Sequence, residues 1–406
     1  MATFVLIAFR NVFRNTRRTA LTLLVISFGA AALILSGGFF AYNFDGLRET
    51  TIRNGLGHLQ IATEQYLSKG EERPLEHGLD HHAELQAWLE SREHVRATTA
   101  QIDFVGLISN GEKSEAFLGS GVDPEREPQM GFTLNLKEGE PLAADDEALL
   151  GIGLAKSLKA QPGDVLTLMG TTRDGALNAV DVRVAGLYAT GIKEFDARAI
   201  KVSLPAAQRL LDTDRVTKVI VKLDATRNTE EVRNAIVAAG LGPRGASLRV
   251  RSWRELATFY QQVVLLYDAI FLFLGIIIFI LVVLSSSNTM MMSVFERVRE
   301  IGTLMAFGTR RRHVLAIFVL EGAVLGVLGG LCGLAVSYVL IQAINNAGLT
   351  MPPPPSFTTG FPLLVKLVPG LLAAVFVLIV VVLTGSAVLP AWRGARLRIV
   401  DALGHV

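Results

Sequence analysis

The sequence predicts an α-helical membrane protein with four transmembrane helices and a large α+β domain inserted outside the membrane between the first and second of them. Three observations predict it. Four windows of the 406-residue chain run for about twenty residues or more without charge, long enough to cross a bilayer core. A stretch of more than 200 residues between the first two windows carries most of the chain's acids and reads as mixed strands and helices. Basic residues cluster at the inner ends of the apolar windows and acids are kept to the far side, which orients the chain.

Residues 1–44 form a basic amphipathic amino end and the first span. Arg10, Arg14, Arg17 and Arg18 precede an apolar run from Thr19 to Phe40. That run is too long for a signal-peptide core, no small-residue cleavage site follows it, and it reads as a retained anchor.

Residues 45–268 hold 26 Lys and Arg against 33 Asp and Glu, a balance of −7, within a chain whose total is +2. The stretch is long enough for a core of its own. ALLGI, VLTLMG, VDVRVAGLY, AIKVSL and VTKVIVKL read as strands, and GLISNGEKSEAFLG as a hairpin turning at Asn110-Gly111. HAELQAWLE and TEEVRNAIVAAG read as helices, the second opened by Asn228 with Glu231 three residues on. A strand–helix–strand run from Val216 to Val250 fits an α+β unit. Ser252 and Glu255 have capping-box spacing, which predicts one helix running from there through Tyr260 and Tyr267 into the second span, 269–291.

Residues 292–313, MSVFERVREIGTLMAFGTRRRH, are charged and lie between two spans. Val294, Val298, Ile301 and Met305 recur at helical steps, with Glu296, Arg297, Arg299 and Glu300 on the other faces. An Arg or Glu at mid-bilayer costs about 2.5–3.5 kcal/mol on insertion scales, so this helix lies at the cytoplasmic surface. It is expected to offer an apolar stripe and ordered charges to something soluble. A juxtamembrane helix lying on lipid is the plainer alternative, and Glu296 and Glu300 argue against adhesion to anionic lipid.

The third span occupies 314–342. Gly322, Gly326 and Gly330 repeat every fourth residue there, spacing that lets membrane helices approach closely, within this chain or between two copies. Glu321 is the one acid inside a span, open to structural pairing or to a proton relay, although no second acid or histidine stands at its depth. A proline-rich external loop at 343–366 includes four consecutive prolines that favour extended structure, and 367–406 carry the fourth span and a basic cytoplasmic tail.

No G-x-x-x-x-G-K-[ST], G-x-S-x-G, H-E-x-x-H or CxxC pattern is present, so the chain is not read as an enzyme and holds no ATPase of its own. Cys332 stands alone and cannot form an internal disulfide. His77, His81 and His82 lie near Glu76 and Asp80, but Pro74 and Gly78 interrupt them, and a solvated loop is favoured over a metal site. Nothing points to nucleic acid.

The segment FERVREIGTLMAFGTRRRHV resembles the signature of FtsX/MacB-type permeases, the membrane subunits of mechanotransmitting ABC systems, of which the lipoprotein-releasing LolC/LolE-like subunits are a branch. Their E-R-x-R-E-I-G-x-x-x-A-x-G falls on Glu296, Arg297, Arg299, Glu300, Ile301, Gly302, Ala306 and Gly308. AFRNVFRNTRRTALT, EALLGIGLAKSLKAQPGDVLTL, VAGLYATGIKEFD and PAWRGARLRIVDAL resemble other parts of the same pattern. The resemblance implies a multi-pass inner-membrane subunit with a MacB-like periplasmic domain and both termini cytoplasmic. It implies coupling to a separate ATPase, present in two copies with its ATP and Mg, through Glu296, Arg297, Arg299, Glu300, Ile301, Gly302, Met305 and Gly308. It further implies a second permease, identical or homologous, contact with membrane lipid, and a periplasmic adaptor or lipoprotein carrier. The substrate would be a lipoprotein, or a drug or peptide. Gly170–Ala179, the hairpin where a carrier-recruiting loop would stand, is short. A signalling scaffold that activates a wall hydrolase is the rival from another class.

Overall fold

The structure is a computed structural model that describes residues 2–69, 75–132, 134–240, 248–352 and 360–396. The chain divides into two compact units, one of residues 1–45, 263–350 and 362–406, the other of 46–262 and 351–361. Most of the four-proline run and the final basic tail lie outside the described residues.

In chain order the elements are α1 (Ala2–Val12) and α2 (Thr16–Thr51), then a π-helical turn at Ile52–Leu56 and β1 (Leu59–Thr63). Next come α3 (Glu64–Lys69), α4 (His82–Glu90), β2 (Val95–Ser109), β3 (Ser114–Val122), α5 (Glu127–Met130), β4 (Asn135–Gly139) and β5 (Glu147–Gly151). They are followed by α6 (Ile152–Leu158), β6 (Val165–Thr171), β7 (Leu177–Ala189), α7 (Lys193–Asp196), β8 (Ala199–Ser203) and α8 (Leu204–Leu211). The unit of 46–262 closes with β9 (Lys218–Leu223), α9 (Thr229–Ala238), β10 (Leu248–Ser252) and α10 (Trp253–Leu256). The remainder is helical apart from one short strand pair: α11 (Thr258–Glu296), α12 (Val298–Ala306), α13 (Arg311–Asn346), β11 (Thr350–Met351) paired with β12 (Phe361–Pro362), α14 (Pro369–Ser386) and α15 (Val388–Ala395).

In the unit of 46–262, ten strands form one mixed sheet in the order β10-β1-β9-β2-β3-β8-β5-β7-β4, with β6 paired to β2 and β7. The β3–β8 and β5–β7 pairs are parallel and the rest antiparallel. β9, α9 and β10 make a strand–helix–strand unit whose two strands both pair with β1 between them. Alternate residues of the strands, among them Ile102, Phe104, Ile108, Leu166, Leu168 and Val202, meet α4, α6, α8 and α9 in one core. The hairpin at Asn110-Gly111 forms as its sequence demands, with Gly111 at φ 88°. The β6–β7 hairpin turns within Thr172–Ala176 and is short.

Both capping boxes fail. Asn228 makes no cap bond: its backbone is already helical, at φ −83° and ψ 0°, and its amide donates to Asp224 Oδ1 at 2.9 Å. Ser252 ends β10, and its hydroxyl, buried at 1% exposure, makes no cap bond either. Glu255 instead accepts from Arg233 at 2.6 Å. The helix begun at Trp253 breaks at Ala257, with φ −82° and ψ 65°, so the long helix starts at Thr258 and not at Ser252. Its 39 residues still extend for about 58 Å.

In the other unit, α2, α11, α13 and the α14–α15 pair are long and apolar enough to cross a membrane. Ile26, Ala30, Leu33 and Ile34 of α2 pack with Ile278 and Val282 of α11, Ile341 of α13, and Val375, Ile379 and Leu383 of α14. The glycines of α13 serve two neighbours. A Cβ at Gly322 would lie 2.6 Å from Ala387 Cβ, at Gly326 3.0 Å from Val380 Cα, and at Gly330 2.7 Å from the Phe376 ring. Gly329 and Gly333 face α2 in the same way, against Ile26 and Ala30. Of the two possibilities left open by sequence, close packing within the chain is seen at this stripe.

Candidate coupling site

The segment expected to be one amphipathic helix is three pieces. α11 carries on to Glu296, Arg297 breaks the helix with φ −117° and ψ 15°, and α12 follows. Gly308 then turns the chain at φ 91°, a value that disfavours any residue with a Cβ, before Arg311 opens α13.

The apolar stripe does not face outward. Val294, Val298, Ile301 and Met305 are all buried, Val294, Ile301 and Met305 together with Val314, Phe318, Ala391 and Ala395 of α13 and α15. Gly302 is buried beside them. The reading of this stripe as a surface for a partner is therefore corrected: the chain needed it to seat α12 on its own helices. What α12 and its flanks expose is a different set. Phe307 is 86% exposed and Leu304 41%, and Arg299, Arg310, Arg311 and Arg312 are exposed around them.

The charges are equally particular. Arg297 turns inward, its side chain 13% exposed, and donates from Nη1 to Glu321 Oε1 at 2.8 Å and from Nε to Glu300 Oε2 at 2.9 Å. Its guanidinium also lies 5.7 Å from the Phe318 ring centre, within cation–π range. Glu321, 3% exposed, accepts a second bond from Asn11 Nδ2 at 2.6 Å. Arg14 donates to Glu300 at 2.5 Å and Arg18 to Glu296 at 3.0 Å. The hydroxyls of Thr22 and Thr289 meet at 2.8 Å. Burial alone would push the Glu300 carboxyl up, but the Arg14 and Arg297 guanidiniums outweigh it and hold the carboxyl below its usual range.

These contacts tie α1, the head of α2, the end of α11, α12 and α13 into one polar knot. Glu321 is a paired acid, with no second carboxylate or imidazole recorded on it among the described residues. Asn11, Arg14 and Arg18 complete the site and were not singled out as site residues from sequence. Their signal was the need of an acid in an apolar span for partners at equal depth. Leu304 and Phe307 lie off the apolar stripe, so its periodicity does not point to them. Among the described residues no group of three or more His, Cys, Asp or Glu is placed to hold a metal ion.

Residues 271–399 match the family described as FtsX-like permease C-terminal, and residues 19–239 match the MacB-like periplasmic core domain. The lipoprotein-releasing system transmembrane protein LolC of Xylella fastidiosa is 26% identical over 327 residues, covering 73% of this chain and 75% of that protein. The ABC transporter permease YtrF of Bacillus subtilis is 20% identical over 390 residues, covering 83% of each. The periplasmic region of MacB from Actinobacillus actinomycetemcomitans overlays 52% of this chain and 95% of its own, with 13% identity and a TM-score of 0.37.

Proposed function

This chain belongs to the FtsX-like permease family with a MacB-like periplasmic core, an ABC transporter permease of the MacB and LolC type, and we propose that it couples a separate cytoplasmic ATPase to movement of its outer domain. In this reading the chain has four spans, with both termini and α12 in the cytoplasm and residues 46–262 in the periplasm, an orientation supported by the basic residues that flank the apolar runs. Two permease subunits, identical or homologous, sit on two copies of the ATPase, which supplies ATP and Mg.

The polar knot carries this reading. An ATPase that engages the exposed Phe307–Leu304 face with its flanking arginines can move α12 only together with α13, through Arg297 and Glu321, and with α1 and α2, through Arg14 and Arg18. Glu296, Arg297 and Glu300 thus act as internal links, while Arg299 and the face beyond Met305 meet the partner. Gly308 supplies the turn. α11 carries the motion outward, because it is one helix from Thr258, at the edge of the outer unit, to Glu296. The substrate is an amphiphile handled on the periplasmic side, a lipoprotein in the first instance, in keeping with the named role of the LolC relative and a chain without its own ATPase motif.

Retrieval of the tagged chain from membranes tests the proposal. The wild type is expected to bring down an ABC ATPase, and Leu304→Asp with Phe307→Asp to lose it while staying in the membrane. Retention of the ATPase by that double variant would refute the docking face. Recovery of a wall hydrolase and no ATPase would refute the transporter reading altogether.

A further inference from the structure

The outer unit contains a cleft of roughly 720 Å³ whose charge is opposite to that of the region around it. Arg48, Arg53, Lys222 and Arg227 line it against only Glu49 and Asp224, in a stretch (45–268) where acids outnumber bases 33 to 26. Those two acids are already engaged. Asp224 accepts from His94 at 2.7 Å and from Asn228 at 2.9 Å. Glu49 lies 3.6 Å from Arg48 and 3.8 Å from Arg53 and also accepts from Thr226 at 3.2 Å.

The cations are less well matched. Lys222 donates to the Gln129 carbonyl at 3.1 Å and makes no ion pair among the described residues. Arg227 is exposed and has no ion pair among them either. Arg53 has only the long contact to Glu49 and keeps 63% of its side chain exposed. A Cβ on Gly131 would stand 2.8 Å from Lys222 Nζ, so the glycine there leaves the ammonium approachable.

The back wall is fixed by a hydrogen-bond chain. His58, 7% exposed, accepts at Nδ1 from the Leu223 amide at 3.2 Å, which leaves its proton on Nε2 to donate to Thr226 Oγ1 at 3.2 Å. Thr226 in turn donates to Glu49. Burial pushes the His58 imidazole down from its ordinary value, which favours the neutral ring in this wall. Met130, Ile52 and half-buried Phe132 supply an apolar side.

We infer that this cleft binds a phosphate ester carrying an apolar body, its oxyanion held by Arg53, Lys222 and Arg227. The guanidiniums of Arg53 and Arg227 can each grip two oxygens of a tetrahedral phosphate, the Lys222 ammonium adds a point charge, and the ligand supplies negative charge beyond the two engaged acids of the cleft. The chemistry is that of an anionic phospholipid headgroup or of a free phosphate compound.

Titration of the full-length chain in a neutral detergent separates these. The probes are dihexanoylphosphatidylglycerol, inorganic phosphate and dihexanoylphosphatidylcholine, followed by calorimetry. Saturable binding of the phosphatidylglycerol that is stronger than that of phosphate assigns the cleft to a lipid headgroup, and the reverse order assigns it to a free phosphate. In either case Arg53→Glu with Arg227→Glu, both solvent-facing, should weaken binding at least about tenfold, as loss of charge-assisted donors requires. An unchanged thermal midpoint in that variant excludes misfolding as the cause, and Arg53→Ala with Arg227→Ala should give a smaller loss of the same kind. Equal binding of the choline lipid, equal binding by the charge-reversed variant, or no saturable binding of either anion would overturn the inference.

Discussion

Glu321→Ala removes the centre of the polar knot. It leaves Arg297, 13% exposed, with Glu300 as its remaining acid partner, and it takes the acceptor from Asn11. Deleting one member of a buried pair costs about 3–5 kcal/mol in soluble proteins. Interhelical polar contacts in membranes run lower, about 0.6 kcal/mol on average and about 1.7 at most. Arg297 keeps one carboxylate and the site lies near a charged surface, so a cost of about 2 kcal/mol is expected for Glu321→Ala. Glu321→Gln keeps an acceptor and the side-chain shape, and about 1 kcal/mol is expected for it. The assay is a double-mutant cycle with Arg297→Ala, read by denaturant unfolding of the chain in micelles. A coupling energy of about 1–2 kcal/mol is expected, because the second mutation removes the cation that the first stranded. Additivity within about 0.3 kcal/mol would show that Arg297 and Glu321 are neighbours without energetic linkage, and would refute their place in transmission.

Gly333→Val drives a side chain into Ala30 and should destabilise the helical unit by about 1–3 kcal/mol, whereas Gly385→Ala, with nothing within 4 Å of its new Cβ, should be neutral or stabilising; thermal midpoints of the two variants decide. In the outer unit the amides of Ala144 and Ala143, each 3.0 Å from Glu147 Oε2, and the nearby Arg183 hold the Glu147 carboxyl below its usual range against burial. A lowered carboxyl stabilises the fold above the unfolded-state value of about 4.3 and loses that contribution as pH falls through the folded-state value. Glu147→Gln should therefore cost about 1–3 kcal/mol near neutral pH, with the difference from wild type shrinking in acid, as denaturation across pH will register. Reporters fused after Arg18 or Arg312 should score cytoplasmic and one near Lys137 external; an internal score at Lys137 would remove the orientation drawn from charge.

The long apolar helices and most strands were legible because each rests on a local pattern: uncharged length for α2, α11, α13 and α14, the Asn110-Gly111 turn for the β2–β3 hairpin, and short apolar runs for β5 to β9. The two capping boxes were not. Asn228 has helical backbone angles, unlike an N-cap residue, whereas Ser252 has the extended backbone of a cap, as Ser203 does, yet makes no cap bond, and nothing local in the sequence separates the two serines. The stripe at Val294, Val298, Ile301 and Met305 was read correctly as one face and wrongly as a free one. Periodicity reports which residues share a face and nothing about what covers it, and here α13 and α15 do. The partners of Glu321 lie 310 and 24 residues away in the chain, beyond the reach of any local pattern.

Transmission through α11 is the central claim, and one measurement addresses it without knowledge of the substrate. Hydrogen exchange in residues 46–262 is followed in the complex with its ATPase, with and without ATP, for the wild type and for a variant with a flexible Gly-Ser segment inserted after Gln261. ATP should change protection in the wild-type outer domain, and the insertion should abolish that change while ATPase binding and ATP turnover persist, since a flexible joint carries no push. An ATP-dependent change of the same size in the insertion variant would contradict transmission through this helix.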